Sequence, residues 1–203
     1  MMKTLAFTAA LLLSSPALAQ APAGADPATV NRYVESMWAK VSDEWKARVK
    51  QDETQALCSE VRNNPSQAQF DAIVAREKLT VVFPADGKVL GDWKAGEKVA
   101  NTGTGGQFSD TAETYKGGNC YACHQMAPKE VSYGTLGPSL TGYGKLKSFA
   151  PEEAKAAYAK IYNAQGVMAC SQMPRFGHNR FLSEQQMKDV TAYLFDPESP
   201  VNK

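Results

Sequence analysis

The sequence predicts a mainly α-helical protein. Apolar residues recur at three- and four-residue steps in several segments, which is the period of amphipathic helices. Good helix-capping residues precede some of these segments, such as Ser183 with Gln186 three residues later. No alternating pattern indicates a convincing sheet, and no internal repeat is present. We therefore expect helices joined by loops in which a ligand could lie.

The first 19 residues have the pattern of an export signal. A single positive charge at Lys3 precedes the apolar run Leu5–Leu13, and Ala17–Ala19 supplies a small-residue cleavage site. That run is too short to span a bilayer, and no later run approaches the ~20 apolar residues that a membrane helix needs. We predict a signal peptide over 1–19 and export to the periplasm, with no membrane partner.

The charge balance excludes some partners and the length limits the domain count. The 203 residues contain 22 Lys and Arg against 21 Asp and Glu, which does not favour a nucleic-acid or anionic-membrane partner. A chain of this size can form one domain or a small domain with an extension. A Gly-containing segment at 87–91 suggests the boundary, so we predict an amino-terminal helical extension over 20–86 and a second domain over 87–203.

The predicted extension contains three helices and one extended segment. Proline opens the first helix, and Ser66 is a suitable cap for the third. This segment is short and β-branched, and Pro84 stops it, so we expect an extended conformation there, for which a small strand is one form. The predicted helices are 27–50, 53–62 and 66–76, and the predicted strand is 79–83.

The second domain contains three further predicted helices. A Gly- and Thr-rich loop follows the first, and a Gly- and Pro-rich connection precedes the second. On the second helix, Ala154, Ala157, Tyr158 and Ile161 share one face that should be buried. The predicted helices are 92–100, 151–163 and 183–196.

Cys120-Tyr121-Ala122-Cys123-His124 is a C-x-x-C-H motif, the pattern of covalent c-type haem attachment. Two thiols on one helical turn can reach both vinyl groups of one porphyrin, and the next residue then presents an imidazole to the iron. Alternatives are a thioredoxin-like redox pair, which lacks a βαβ setting here, and half of a zinc site, which needs two further ligands. The motif predicts one haem c, with His124 as an axial ligand.

An electron-transferring haem usually has a second protein ligand, and methionine opposite histidine raises the reduction potential. Met173 precedes Pro174 in a loop between two helices, where the proline holds the backbone extended so that the thioether can project. We predict that Met173 is the second ligand. The alternatives are Met126, Met168, Met187, Cys170 and His178.

Cys58 and Cys170 are the two cysteines outside the motif. In an oxidising compartment an even remainder suggests a disulfide, here between the amino-terminal helices and the Met173 loop. The alternatives are two free thiols, or one thiol acting as an iron ligand.

With the haem motif and helices on both sides of it, residues 87–203 resemble a class I cytochrome c domain. In that class a proline after the motif supplies a carbonyl that accepts the proton on the far nitrogen of the ligand histidine. The resemblance assigns this role to Pro138.

Several separated stretches resemble the SoxX family, the monohaem subunits of the SoxAX cytochrome complexes of periplasmic sulfur oxidation. The resemblance spans about residues 86–203, and so is more specific than the haem motif alone. The stretches are 118–120, 137–144, 160–164, 170–177 and 196–203.

This resemblance implies a heterodimer with a SoxA cytochrome and indirect contact with the carrier SoxYZ. In that family the complex oxidatively joins thiosulfate to a carrier cysteine, electrons leave through the SoxX haem to a downstream acceptor cytochrome, and catalysis lies mainly on SoxA. The resemblance therefore assigns no catalytic residue to this chain. We expect the extra amino-terminal helices to supply a permanent subunit contact, which a deletion of residues 27–75 would test.

Three other functions are compatible with the sequence. A free-standing electron shuttle would be a monomer on purification. An enzyme acting at its own iron would need a labile or absent second ligand, which the Met173-Pro174 pair argues against. A thiol-redox protein without haem would show no visible absorption.

Overall fold

A computed structural model describes residues 24–203 of the chain. Over this range the protein is helical and contains no strand, which confirms the mainly α-helical fold class. No helix in the same range has the length and apolar character needed to cross a membrane. The α-helices are α1 Pro27–Met37, α2 Asp43–Val49, α3 Glu53–Glu60, α4 Gln67–Lys78, α5 Trp93–Asn101, α6 Tyr143–Leu146, α7 Pro151–Tyr162 and α8 Glu184–Phe195; short 3-10 turns cover Cys120–Ala122, Ala164–Gly166 and Pro200–Asn202.

The described residues divide into two compact units, of which one ends at Ser42 and the other spans residues 43–203. The single helix predicted over 27–50 is wrong, because α1 ends at Met37 and the N–H of Val41 donates to the carbonyl of Trp38 in the turn that follows. The next helix begins at Asp43, a residue type that favours helix starts over interiors. The predicted signal peptide lies outside the described residues.

The strand predicted over 79–83 is also wrong. The N–H groups of Leu79 and Thr80 donate back to carbonyls at the end of α4, which leaves them unavailable to a neighbouring strand. Leu79 is 88% exposed, while Phe83 stacks on Tyr158 with ring centroids 5.8 Å apart. The β-branched composition of this segment therefore reflects a connection that crosses the surface of α7.

The crossing of α5 with α8 organises the main core of the larger unit. At Gly96 a Cβ atom would lie 2.0 Å from the carbonyl oxygen of Asp189, so only glycine allows the two backbones to approach this closely. Asp92 caps α5 by accepting from the N–H of Lys94. Ser183 and Gln186 form the predicted capping box at the start of α8.

Helix α7 packs on α8 through the face that the sequence predicted, since Ala154, Ala157, Tyr158 and Ile161 are all buried. The turn after α8 closes this core, with Asn202 Nδ2 donating to the carbonyl of Leu194 (3.0 Å). The main cluster consists of Val89, Val99, Ala100, Met126, Ala154, Ala157, Tyr158, Ile161, Phe176, Leu182, Met187, Val190, Tyr193, Leu194, Phe195 and Val201.

A second, smaller cluster joins α3 and α4 to the loop that carries Met173. Cys58 and Cys170 form a disulfide with Cα atoms 5.4 Å apart, and they are buried with Ile73 and Ala169. A disulfide that closes a loop this long typically stabilises a protein by about 2–4 kcal/mol, mainly by restricting the unfolded chain. These helices lie in the same compact unit as α5–α8, and the predicted boundary near residue 87 stays a prediction.

Glu77, at the end of α4, connects these elements through buried polar contacts. One carboxylate oxygen accepts from the hydroxyl of Thr54 on α3. The other accepts from Asn163 Nδ2 (2.8 Å) and lies 3.4 Å from Arg175 Nη1. The Glu77 side chain is only 6% exposed, so its charge depends on these partners rather than on water.

This network predicts a specific dependence of stability on pH. Burial raises the pKa of Glu77. Its pKa is lowered by a larger amount by the hydrogen bonds from Thr54 and Asn163 and by the charges of Arg175 and His178, so it lies below the ordinary 4.5. The stabilisation is therefore complete above pH 4.5 and is lost as the pH falls through the lower folded-state pKa. We expect the free energy of unfolding to decrease over this acid range.

The Glu77→Gln variant tests this expectation by urea unfolding at a series of pH values. At pH 7 its free energy of unfolding should be lower by about 3 kcal/mol, because the buried guanidinium of Arg175 loses one of its carboxylate partners. Its unfolding free energy should also depend less on pH below 4.5 than that of the wild type, while other carboxyl groups with lowered pKa values, such as Asp52, keep part of the slope. Identical slopes in the two proteins would contradict the assignment.

Candidate haem site

The predicted attachment motif contains a short 3-10 turn, Cys120–Ala122. Cys120 begins this turn and Cys123 follows it. Asn119 leads into the turn in a left-handed conformation with φ of 49°. The carbonyl of Cys120 accepts from the backbone N–H groups of both Cys123 (3.1 Å) and His124 (2.9 Å). These bonds fold the five-residue motif into one compact structural unit.

The state of the cysteines argues against the thiol-redox alternative. Both are free thiols rather than a disulfide. Burial raises the pKa of the Cys120 thiol to about 12, whereas cysteines in thiol–disulfide catalysts have lowered pKa values. For the zinc alternative, no group of three or more His, Cys, Asp or Glu side chains within residues 24–203 could hold a metal ion. Two unpaired thiols are the starting chemistry that thioether formation requires.

His124 is oriented by the loop that follows the motif. Its Nδ1 lies 2.7 Å from the carbonyl oxygen of Pro138. Since a carbonyl can only accept, Nδ1 carries the proton, and the lone pair of Nε2 is left for a metal. The N–H of Gly137 donates to the carbonyl of Cys123 (2.8 Å), and the N–H of Leu140 to that of Gln125 (2.8 Å), so the loop is fixed on both sides of Pro138.

Gly137 is a functional position that the sequence analysis did not assign. A Cβ atom there would lie 2.2 Å from Cε1 of His124 and 2.5 Å from its Nδ1. Only glycine lets this backbone lie against the imidazole ring while the next residue presents its carbonyl to it. In the sequence, the Gly137-Pro138 pair was the feature that could have indicated this position. The contact with the His124 ring explains why the first residue of the pair is glycine.

The alternatives for the second ligand differ in their surroundings. Met126 and Met187 are buried in the main cluster, where their thioethers pack among apolar side chains. Met168 is 51% exposed. Cys170 belongs to a disulfide and so supplies no thiolate.

His178, the remaining alternative, lies beside charged groups. Its backbone N–H donates to the carbonyl of Tyr162 (3.1 Å). Burial lowers the pKa of its imidazole, Arg175 lowers it further, and Glu77 and Asp52 act in the opposite direction. His178 thus belongs to the electrostatic surroundings of the Glu77 network.

Met173 is half-buried and packs against the main cluster, as Cys120 does from the attachment turn. Its backbone N–H donates to the hydroxyl of Ser171 (3.2 Å), and Pro174 follows it. The thioether therefore remains the ligand candidate with the most suitable surroundings. Iron coordination by Met173 and His124 stays a prediction.

Two cavities lie next to the segments that carry the candidate ligands. A cavity of about 810 Å³ is bordered by residues 117–119, which lead into the attachment turn, and by residues 174–176, which follow Met173. The second, of about 490 Å³, is lined by aromatic and apolar side chains such as Tyr158 and Phe181 together with charged ones such as Lys116 and Arg180. The first cavity thus adjoins the residues next to Cys120 and Met173, while Cys120, Cys123, His124 and Met173 line neither cavity.

Tyr158 adds a further observation that fits a bound group. Its hydroxyl is fully buried and has no hydrogen-bond partner in the described chain. Burial raises the pKa of Tyr158 to about 12, so the hydroxyl stays protonated and can donate. A buried hydroxyl without a partner is costly, and an acceptor brought by a cofactor would remove that cost. The donor set of the attachment motif fits a haem.

Comparisons with known proteins agree with this site. The family model of cytochrome c matches residues 95–196, which include the attachment motif and Met173. A protein of Aquifex aeolicus (strain VF5), described as an uncharacterized lipoprotein, is 39% identical over 161 residues, covering 78% of this chain and 76% of the relative. Because the family match spans half of the chain and contains the motif that binds the cofactor, this protein belongs to the cytochrome c family, whose domain implies covalently bound haem c.

Proposed function

We propose that this chain is a SoxX-type subunit that carries electrons within a periplasmic SoxAX complex. Haem-based electron transfer is the coarser function, and it follows from membership of the cytochrome c family. The finer assignment is supported by the separated stretches that resemble SoxX. In this proposal SoxA holds the catalytic site that joins thiosulfate to a cysteine of SoxYZ, and the present chain passes the electrons on to an acceptor cytochrome.

The proposal assigns a role to each residue of the site. Cys120 and Cys123 would form the thioether bonds to the haem, while His124 Nε2 and the Met173 sulfur would bind its iron. The haem, when bound, supplies a one-electron redox centre. The observation that carries the proposal is that the Met173 loop is anchored on both sides, by the disulfide at Cys170 and by the ion pairs of Arg175. A ligand held in this way suits electron transfer rather than chemistry at an open iron position.

Two observations support a location in the periplasm. The disulfide between Cys58 and Cys170 suits an oxidising compartment, since cytoplasmic thiols are kept reduced. The relative from Aquifex aeolicus is described as a lipoprotein, a class that is exported. Both agree with the export signal predicted over residues 1–19.

We further propose that α1 supplies the permanent contact with SoxA. Its apolar side chains Val30, Tyr33 and Met37 are 43%, 66% and 62% exposed, and no residue of the helix is buried. Permanent subunit contacts are more apolar than transient redox contacts. Helices α3 and α4, in contrast, use their apolar residues within the chain, so a deletion confined to residues 27–37 tests the contact better than one of residues 27–75.

The experiment co-expresses the full chain with a SoxA cytochrome in an exporting host, and then adds SoxYZ and thiosulfate. We expect the two cytochromes to co-purify and the haem bands of this chain to change from oxidised to reduced after thiosulfate is added. The control contains this chain with SoxYZ and thiosulfate but no SoxA, and should stay oxidised. The chain without residues 27–37 should keep its haem and lose SoxA.

Two results would overturn the subunit assignment. The first is a chain that purifies as a monomer from its native host. The second is a haem that stays oxidised when SoxA, SoxYZ and thiosulfate are all present. Both together would favour the free electron shuttle, which shares the same haem site.

A further inference from the structure

The segment that carries Met173 is attached to α3 and α4 at three points. Asn163, at its start, donates to Glu77 at the end of α4. Cys170, in its middle, is bonded to Cys58 on α3. Arg175, two residues beyond Met173, completes the set. We call residues 163–175 the ligand segment.

Arg175 lies two residues after Met173 and attaches this end of the ligand segment to α3 and α4. Its side chain is only 6% exposed, and its Nη2 lies 2.5 Å from Oδ2 of Asp52. The other oxygen of the same carboxylate caps α3 by accepting from the N–H of Gln55 (2.8 Å). The guanidinium is therefore bound to a carboxylate that the helix itself holds in place.

Glu77 fixes the second side of the guanidinium. Its carboxylate contacts Thr54 on α3 and both ends of the ligand segment, Asn163 and Arg175. Arg76 approaches the same carboxylate at 3.7 Å and also binds the Thr54 hydroxyl. A buried charge with this many partners holds one arrangement, because moving any one of them leaves another unpaired.

We propose that Arg175 and Glu77 are positioning residues that keep Met173 at the iron, with α3 and α4 acting as a rigid clamp on the ligand segment. This rests on the proposed function, in which Met173 is an axial ligand. The backbone N–H of Met173 donates to the hydroxyl of Ser171 (3.2 Å) in the same loop, so this bond does not connect Met173 to α3 or α4. With haem bound, the clamp would determine how often the thioether leaves the iron, so α3 and α4 would support the redox site through the ligand segment.

The rate at which an external ligand binds the ferric protein measures this opening. Cyanide can reach the sixth position only after the thioether has left, so its binding rate reports local opening of the ligand segment. We expect Arg175→Gln to raise this rate by roughly tenfold or more and to weaken the sulfur-to-iron charge-transfer band, because the buried Glu77 carboxylate loses a charged partner. Arg175→Lys keeps the charge and should restore part of the wild-type behaviour.

The matched control is Arg62→Gln, which removes the same functional group from an exposed position just after α3. It should leave the cyanide rate and the band unchanged. Circular dichroism and urea unfolding of each holoprotein establish that rates are compared between folded proteins. Should Arg175→Gln fail to fold, Glu77→Gln and the Cys58→Ser/Cys170→Ser pair test the same clamp from its other two attachments and should also raise the rate.

The outcomes separate this inference from the proposed function. If Met173→Ala keeps the charge-transfer band of the wild type, the ligand assignment is wrong and the inference falls with it. If the band depends on Met173 but folded Arg175→Gln binds cyanide at the wild-type rate, the clamp is wrong and the ligand assignment stands. A faster rate in Arg175→Gln and in Arg62→Gln alike would also overturn the clamp.

Discussion

The Cys120→Ala/Cys123→Ala double variant is expected to carry no covalently bound haem. Both thiols are unpaired and lie at the ends of one compact backbone turn, so their removal leaves no nucleophile at the position where the porphyrin vinyl groups would be held. Mass spectrometry of the exported, denatured protein should give the mass of the polypeptide alone. The wild type should be heavier by one haem.

The control for this variant is Cys58→Ala/Cys170→Ala, which also removes two cysteines. It should lose the disulfide and much of the stability that the disulfide provides, about 2–4 kcal/mol, yet keep the haem mass. A haem that stays bound to the Cys120→Ala/Cys123→Ala chain after denaturation would contradict the attachment. A wild-type chain without added tetrapyrrole would remove the basis of every functional proposal made above.

Met173→Ala is expected to abolish the sulfur-to-iron charge-transfer band and to lower the reduction potential. A methionine thioether opposite histidine favours the reduced iron, so its loss should lower the potential by on the order of 0.1–0.3 V, part of the roughly 0.8 V that axial ligands span. The measurements are near-infrared absorption of the ferric protein and a spectroelectrochemical titration. The covalently attached haem should remain, because the cysteines are unchanged.

Met168→Ala is the matched control, since Met168 lies five residues before Met173 and is 51% exposed. Its band and potential should equal those of the wild type. If Met168→Ala loses the band while Met173→Ala keeps it, Met168 is the iron ligand and Met173 is not. In that case the clamp on residues 163–175 would have to be considered for Met168 instead.

The helix starts were predictable because their signals are local. Ser66 and Ser183 each exchange hydrogen bonds with a glutamine three residues later, and this geometry needs nothing from the rest of the chain. The buried face of α7 was predictable for a similar reason, since its apolar residues follow the period of one helix. Such patterns can be recognised in a sequence because all the residues that form them lie within one turn or on one face of a single helix.

The two incorrect elements show where local patterns stop being informative. The helix predicted over 27–50 has a continuous apolar period, but its interruption at residues 38–42 depends on backbone hydrogen bonds that the period does not encode. The strand predicted over 79–83 has suitable residues, but a strand needs a partner, and here the backbone bonds return to α4. Composition describes what a segment can form, while its neighbours decide what it does form.

The sequence by itself determined the attachment chemistry, because two thiols and an imidazole within five residues need only one turn of backbone to act together. Only the tertiary structure decided how the second ligand is held. Arg175 is 98 residues from Glu77 and 123 from Asp52 along the chain. The need for glycine at position 137 arises only from contact with the ring of His124. A buried ion pair forms when distant segments together exclude water, and no spacing along the chain records which charges will meet.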